Sequence, residues 1–118
     1  MTRVKGGIAT KKRHKRLLKQ AKGFWGQRNN IFKRAKETVM RSLAYAYHGR
    51  KLRKRDFRSL FVTRIKAAAV QNNMSYSTFI HGLAQASISL NRKMLSQLAI
   101  FEPAAFTALV ERAKAAHS

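Results

Sequence analysis

The sequence predicts an all-α protein: an extended basic N-terminal arm with long helices, followed by a small helical C-terminal domain. Three observations carry this. The 118 residues include one proline, Pro103, and the six glycines fall mostly between periodic segments. Apolar residues recur at three- and four-residue steps, and no stretch shows sustained strand alternation. Charge and hydropathy divide the chain. Residues 1–66 hold 22 of the 26 Lys and Arg and carry a net +20, against +2 for residues 67–118. Apolar residues number 28 of 52 after residue 66 and 25 of 66 before it, so core material is concentrated at the C-terminal end. The expected boundary puts the arm at residues 1–57 and the globular part at residues 58–118.

Residues 1–9 show no period and read as an extended segment. Thr10 is placed to cap a short basic helix that ends at Gly23, with Leu17, Leu18 and Ala21 on one side. Gly23 and Gly26 bracket Phe24 and Trp25 in a turn. Asn29 or Asn30 then caps a longer helix, in which Phe32, Ala35, Val39, Leu43, Ala46 and Tyr47 form a narrow apolar stripe. On this stripe Tyr47 reads as core packing, and His48-Gly49 reads as a C-terminal stop. After the basic run at residues 50–58, Leu60, Phe61, Ile65, Ala68 and Ala69 share the face of another helix, which ends near Asn72-Asn73.

The remainder reads as three short helices. Ser75 caps the first, with Tyr76, Phe79, Ile80, Leu83 and Ala84 on one face. Asn91 caps the second, which carries Leu95, Leu98 and Ala99. Glu102-Pro103 starts the third, because proline at the first helical position loses no hydrogen bond. Phe106, Leu109, Val110 and Ala113 form its stripe. With the face of residues 58–70, these stripes suffice for one small core.

Much chemistry is excluded. There is no Cys, hence no disulfide and no thiol site. The four histidines lie at least 33 residues apart, so no pair has helical metal-site spacing. The four acids (Glu37, Asp56, Glu102, Glu111) are unpaired in sequence, which leaves little for general acid–base or two-metal catalysis. Phosphate loops, nucleophile elbows and dinucleotide fingerprints are absent. No apolar run approaches the roughly 18 residues of a membrane span. The first 22 residues are basic throughout and are not expected to be a removable leader. No enzyme activity, cofactor, metal or small-molecule substrate is expected.

What remains is polyanion binding. Residues 11–16 and 50–58 place cations on all sides of any helix drawn through them, and the second run has six in nine residues. An ordinary solvated face interleaves acids with bases. These runs read instead as phosphate contacts driven by counterion release. The candidate contacts in the first part are Arg3, Lys5, Lys11, Lys12, Arg13, His14, Lys15, Arg16, Lys19, Lys22 and Arg28. Phe24 and Trp25 join them, read either as stacking on unpaired bases or as a small hydrophobic hinge. Along the helices follow Lys33, Arg34, Arg41, Arg50, Lys51, Arg53, Lys54, Arg55, Arg58 and Arg64, with Arg92 and Lys93 near the second C-terminal cap. Cations on every side suit enclosure by a folded RNA better than the one-sided contact of most DNA readers. A DNA-compacting, nucleoid-type protein is the alternative. A membrane-active helix would need a broader apolar face than Leu17, Leu18 and Ala21 provide.

Several stretches resemble the twentieth-protein family of the bacterial large ribosomal subunit. They are Lys11-Lys12-Arg13-His14-Lys15 through Lys22-Gly23-Phe24, Tyr45-Ala46-Tyr47, and Arg53-Lys54-Arg55-Asp56-Phe57-Arg58. Ser75-Tyr76-Ser77-Thr78-Phe79-Ile80 with Gly82-Leu83, Asn91-Arg92-Lys93, and Ala105-Phe106 through Leu109-Val110-Glu111 extend the match from Arg3 to Ala116. Gly6, Asn29-Asn30, Phe61, Lys66 and Val70 depart from the usual family residues. The resemblance implies direct, early, assembly-promoting binding to large-subunit ribosomal RNA, with other large-subunit proteins as neighbours. It implies a ribosome of the cytoplasm or of an organelle stroma. In parts of the family the C-terminal domain also represses translation of its own messenger.

Overall fold

The computed structural model describes Arg3 and residues 5–117, apart from the His117 side chain. Among these residues there are five α-helices, one 3-10 turn and no strand. The helices are α1 (Ile8–Gln20), α2 (Phe32–Gln71), α3 (Tyr76–Gln85), α4 (Arg92–Phe101) and α5 (Pro103–His117), with the 3-10 turn at Gly26–Arg28. The chain forms two compact units, Met1–Lys51 and Leu52–Ser118. Helix α2 contributes residues to both.

In the first unit α1 starts two residues before Thr10, with Gly7 at its cap position and no side-chain cap. Ile8, Ala9 and Thr10 are therefore inside the helix, and Met1, Thr2 and Val4 of the expected extended segment lie outside the described residues. The helix ends at Gln20, and the chain turns through Gly23 at φ +90° and Gly26 at φ +56°. Both values lie in the left-handed region, where a Cβ is costly. The core of this unit is minimal: Ala21, Ala35 and Val39 are buried, with Leu17, Leu18 and Phe24 packed around them.

Helix α2 corrects two expectations. The Ile31 carbonyl accepts the Ala35 N–H at 2.8 Å, so the hydrogen-bonded ladder starts there and neither Asn29 nor Asn30 is the cap. Gly49 does not stop it: α2 is one helix of 40 residues. A glycine inside a helix costs about 1 kcal/mol. Without a left-handed residue to redirect the chain, that is too little to break a helix continued by Arg, Lys and Leu.

The second unit has the larger core. Ile65 and Ala69 of α2, Met74, Phe79 and Leu83 of the α3 region, Leu95 of α4, and Phe106, Val110 and Ala113 of α5 are buried together. Phe79 and Phe106 meet at 5.1 Å between ring centroids. The expected caps are in place. The Ser75 hydroxyl accepts the Thr78 N–H at 3.2 Å, and Asn91 Oδ1 accepts the Met94 N–H at 2.8 Å. Pro103 is the first residue of α5, and the Glu102 carbonyl accepts the Phe106 N–H at 3.1 Å.

Two helix ends are built alike. At the end of α2 the Met74 N–H reaches the Ala69 carbonyl and the Asn73 N–H reaches that of Val70, with Asn73 at φ 56°. After α3, Ile88 reaches Leu83 and Ser87 reaches Ala84, with Ser87 at φ 56°. This paired pattern satisfies the last carbonyls and turns the next apolar residue, Met74 or Ile88, back onto the core. The α2 end gains a further partner, because Lys114 Nζ donates to the Asn72 carbonyl at 2.9 Å. On α3 the buried face differs from the expected one: Ala84 is exposed, and Gly82 is buried in its place.

Candidate nucleic-acid interface

The basic side chains of α1 are presented outward. Lys11, Lys12, Arg13, Lys15, Arg16 and Lys19 are exposed, and so are Arg3 and Lys5 before the helix and Lys22 and Arg28 after it. His14 is different. Its ring is half-buried and stacks on Phe32, with centroids 3.8 Å apart and 18° between planes. One ring face is thus already occupied within the unit. Lys11, His14, Lys15, Leu18 and Lys19 line an open cleft of cationic rim and apolar floor. Arg28, Arg34 and Arg41 line another with Glu37 and Thr38.

The adjacent aromatics of the turn take opposite roles. Phe24 is half-buried against the Ala21–Ala35–Val39 core, whereas Trp25 is 90% exposed.

In α2 every residue from 40 to 60 is exposed. That is roughly six turns of helix without a buried or half-buried residue. The stripe expected through Leu43, Ala46 and Tyr47 finds no facing helix, and Tyr47, assigned to core packing from its spacing, is 57% exposed. The physical reason is supply. Beyond Val39 the first unit buries no residue that such a stripe would pack against.

The segment carries seven cations, among them Arg41, Arg50, Lys51, Arg53, Lys54, Arg55 and Arg58, against the single acid Asp56. Two of them lie over aromatic rings, Lys51 over Tyr47 at 5.4 Å and Arg53 over Phe57 at 5.6 Å. Lys33, Arg34 and Arg64 are exposed on the same helix. The exposed tyrosines and Phe57 are what sequence reasoning missed. Their signal was the shortness of the other apolar face within residues 1–57, Leu17, Leu18 and Ala21, which can cover only one end of the Phe32–Tyr47 stripe.

In the second unit Lys93 is exposed, while Arg92 is half-buried and donates from Nε to the Tyr76 hydroxyl at 3.1 Å. That bond fixes the guanidinium and leaves its terminal nitrogens available. Among the described residues no three His, Cys, Asp or Glu side chains group as metal ligands, and no helix is long and apolar enough to cross a membrane.

Fold and surface together define a class: a helical polycation whose longest helix is exposed over about half its length. Comparison with known proteins agrees with that class. The family model described as ribosomal protein L20 matches residues 3–109. The large ribosomal subunit protein bL20 of Caldanaerobacter subterraneus subsp. tengcongensis is 57% identical over 114 residues, covering 97% of this chain and 96% of the relative. The protein of the same name from Lactococcus lactis subsp. cremoris is 56% identical over 116 residues, covering 98% of each. The chain belongs to the ribosomal protein L20 family. It is a structural ribosomal protein of the large subunit and not an enzyme.

Proposed function

We propose that this chain binds large-subunit ribosomal RNA directly and promotes an early step of subunit assembly in the cytoplasm. The observation that supports the reading is the exposure of α2 from residue 40 to residue 60, a stretch with seven cations and one acid. Isolated helices are marginal in water, and like charges so dense repel one another. RNA phosphates remove the repulsion and release counterions. Arginine forks suit phosphate oxygens and base edges, and the exposed Tyr45, Tyr47 and Phe57 offer rings to sugars and bases.

In this reading residues 1–57 form the RNA-embedded part and residues 58–118 the globular part. The contacts are the Lys and Arg residues from Arg3 to Arg64 other than Lys36, with His14, Phe24 and Trp25, and Arg92 and Lys93 supply a smaller set. Enclosure also explains the timing. A helix surrounded by RNA on every side cannot enter after the RNA has closed, so it binds before folding of the RNA is complete. Neighbouring large-subunit proteins are the remaining partners.

The test compares the purified full chain on a large-subunit ribosomal RNA transcript and on duplex DNA of equal charge, at several salt concentrations. Tighter binding to the ribosomal RNA, and retention on large subunits through a high-salt wash, is expected. Equal affinity for both polymers at every salt concentration refutes direct specific binding.

A further inference from the structure

Trp25 is the least accounted-for side chain in the first unit. It is 90% exposed, although its neighbour Phe24 packs on the small core. The hinge role is therefore filled by Phe24 alone, and Trp25 contributes no packing. It is also held in place. Gly23 at φ +90° and Gly26 at φ +56° flank it, and its carbonyl accepts the Arg28 N–H at 3.2 Å to close the 3-10 turn. Once the unit is ordered, this turn holds the indole outward from the Ala21–Ala35–Val39 core.

The surroundings select the partner. No acid occurs before Glu37, and Lys19, Lys22 and Arg28 are the exposed charges nearest along the chain. Gln27, Asn29 and Asn30 follow, all exposed and polar. A protein-docking aromatic normally sits in a desolvated apolar surround. An indole among cations and amides, on a strongly basic unit, fits a planar ring attached to a polyanion. Within a duplex the base faces are already stacked, so only an unstacked base offers its face.

We infer that Trp25 is a stacking platform for one unpaired nucleobase of the ribosomal RNA, with Lys22 and Arg28 holding the flanking phosphates. This deepens the reading given under Proposed function and rests on it. Phosphate contacts supply affinity without regard to sequence, whereas a single stacked base in a loop or bulge fixes the register of the turn on the RNA.

The test uses the full chain and the large-subunit ribosomal RNA transcript, with a fully paired RNA duplex of equal length as comparison. Trp25 is the only tryptophan, so indole emission reports this site alone. Emission should be quenched by the ribosomal RNA and not by the duplex. Trp25→Ala should weaken binding to the transcript by roughly 5- to 150-fold, the range for loss of one stacked base, with the salt dependence unchanged. Trp25→Phe should recover most of the loss.

Because the indole is exposed, these variants leave the fold intact, and unchanged helicity by circular dichroism checks this. Wild-type affinity in Trp25→Ala overturns the inference, as does equal quenching by the duplex. Unchanged RNA affinity with poor incorporation into subunits assigns Trp25 to a protein neighbour and also overturns it. In each of these outcomes wild-type binding to the transcript persists, so the reading on which the inference rests is judged separately.

Discussion

Gly82 in α3 faces the main chain of Ala113 in α5 so closely that a Cβ at position 82 would overlap the Ala113 carbonyl group. The obstacle is backbone and cannot rotate away. α3 and α5 both pack into the larger core, and this glycine sets how near they lie.

Gly82→Ala should therefore destabilise the second unit by about 1–3 kcal/mol, the usual cost of overpacking. Gly49→Ala is the opposite case. Position 49 is inside α2, and a Cβ there meets nothing within 4 Å. That substitution should raise helix stability by about 0.5–1 kcal/mol. Gly82→Ala should lower the thermal midpoint followed by circular dichroism, and Gly49→Ala should raise the helical signal at low temperature; a lowered midpoint for both would refute the packing account.

Ser87 carries φ 56° at the end of α3, where its N–H bonds the Ala84 carbonyl. A side chain in the left-handed region costs roughly 1–2 kcal/mol, part of which glycine loses again as unfolded-chain entropy. Ser87→Gly should leave a net gain of about 0.5–1 kcal/mol, read as a higher urea midpoint at constant slope.

Ser96 is buried in α4, 1% exposed, and among the described residues its hydroxyl has no hydrogen-bond partner. An unsatisfied buried hydroxyl costs about 1–3 kcal/mol, and alanine is the better helix former. Ser96→Ala should stabilise the second unit by about 1 kcal/mol in the same urea titration. A loss of stability would mean that the hydroxyl finds a partner such as a bound water.

Arg50, Arg53 and Arg55 lie in the exposed stretch of α2. Changing all three to Ala should flatten the slope of log K against log salt for ribosomal RNA by up to about three contacts, each near 0.7–0.9. Replacing Arg92, Lys93, Arg112 and Lys114 together should change it less. A slope unmoved by the first set would make the run a solvated face.

Among the described residues of the first unit only Ala21, Ala35 and Val39 are buried. So small a core cannot offset the ordering of some fifty residues at about 1 kcal/mol or more each. In the RNA-free protein, amide hydrogen exchange should be fast before about residue 57 and protected in the C-terminal helices. Strong protection across residues 10–48 without RNA would contradict this.

The all-helical fold, the caps at Ser75, Asn91 and Pro103, and the stripes through Phe79, Leu95, Phe106 and Val110 were legible in the sequence alone. Each depends on residues within one or two turns of one another, or on an apolar period that needs only one core to face. The charge division was equally legible and pointed to RNA before any coordinate did. Three matters waited for the tertiary structure. Whether Gly49 ends a helix depends on the balance of a cost near 1 kcal/mol against everything that follows it. Whether the Leu43–Tyr47 stripe is core depends on a facing surface, and none packs there, so Tyr47 is exposed. Phe24 and Trp25 are adjacent and alike in composition; only the position of the Ala21–Ala35–Val39 core decides that the first is packed and the second exposed. Local preferences are written residue by residue, whereas burial belongs to pairs of surfaces, and a single stripe does not say whether its partner exists.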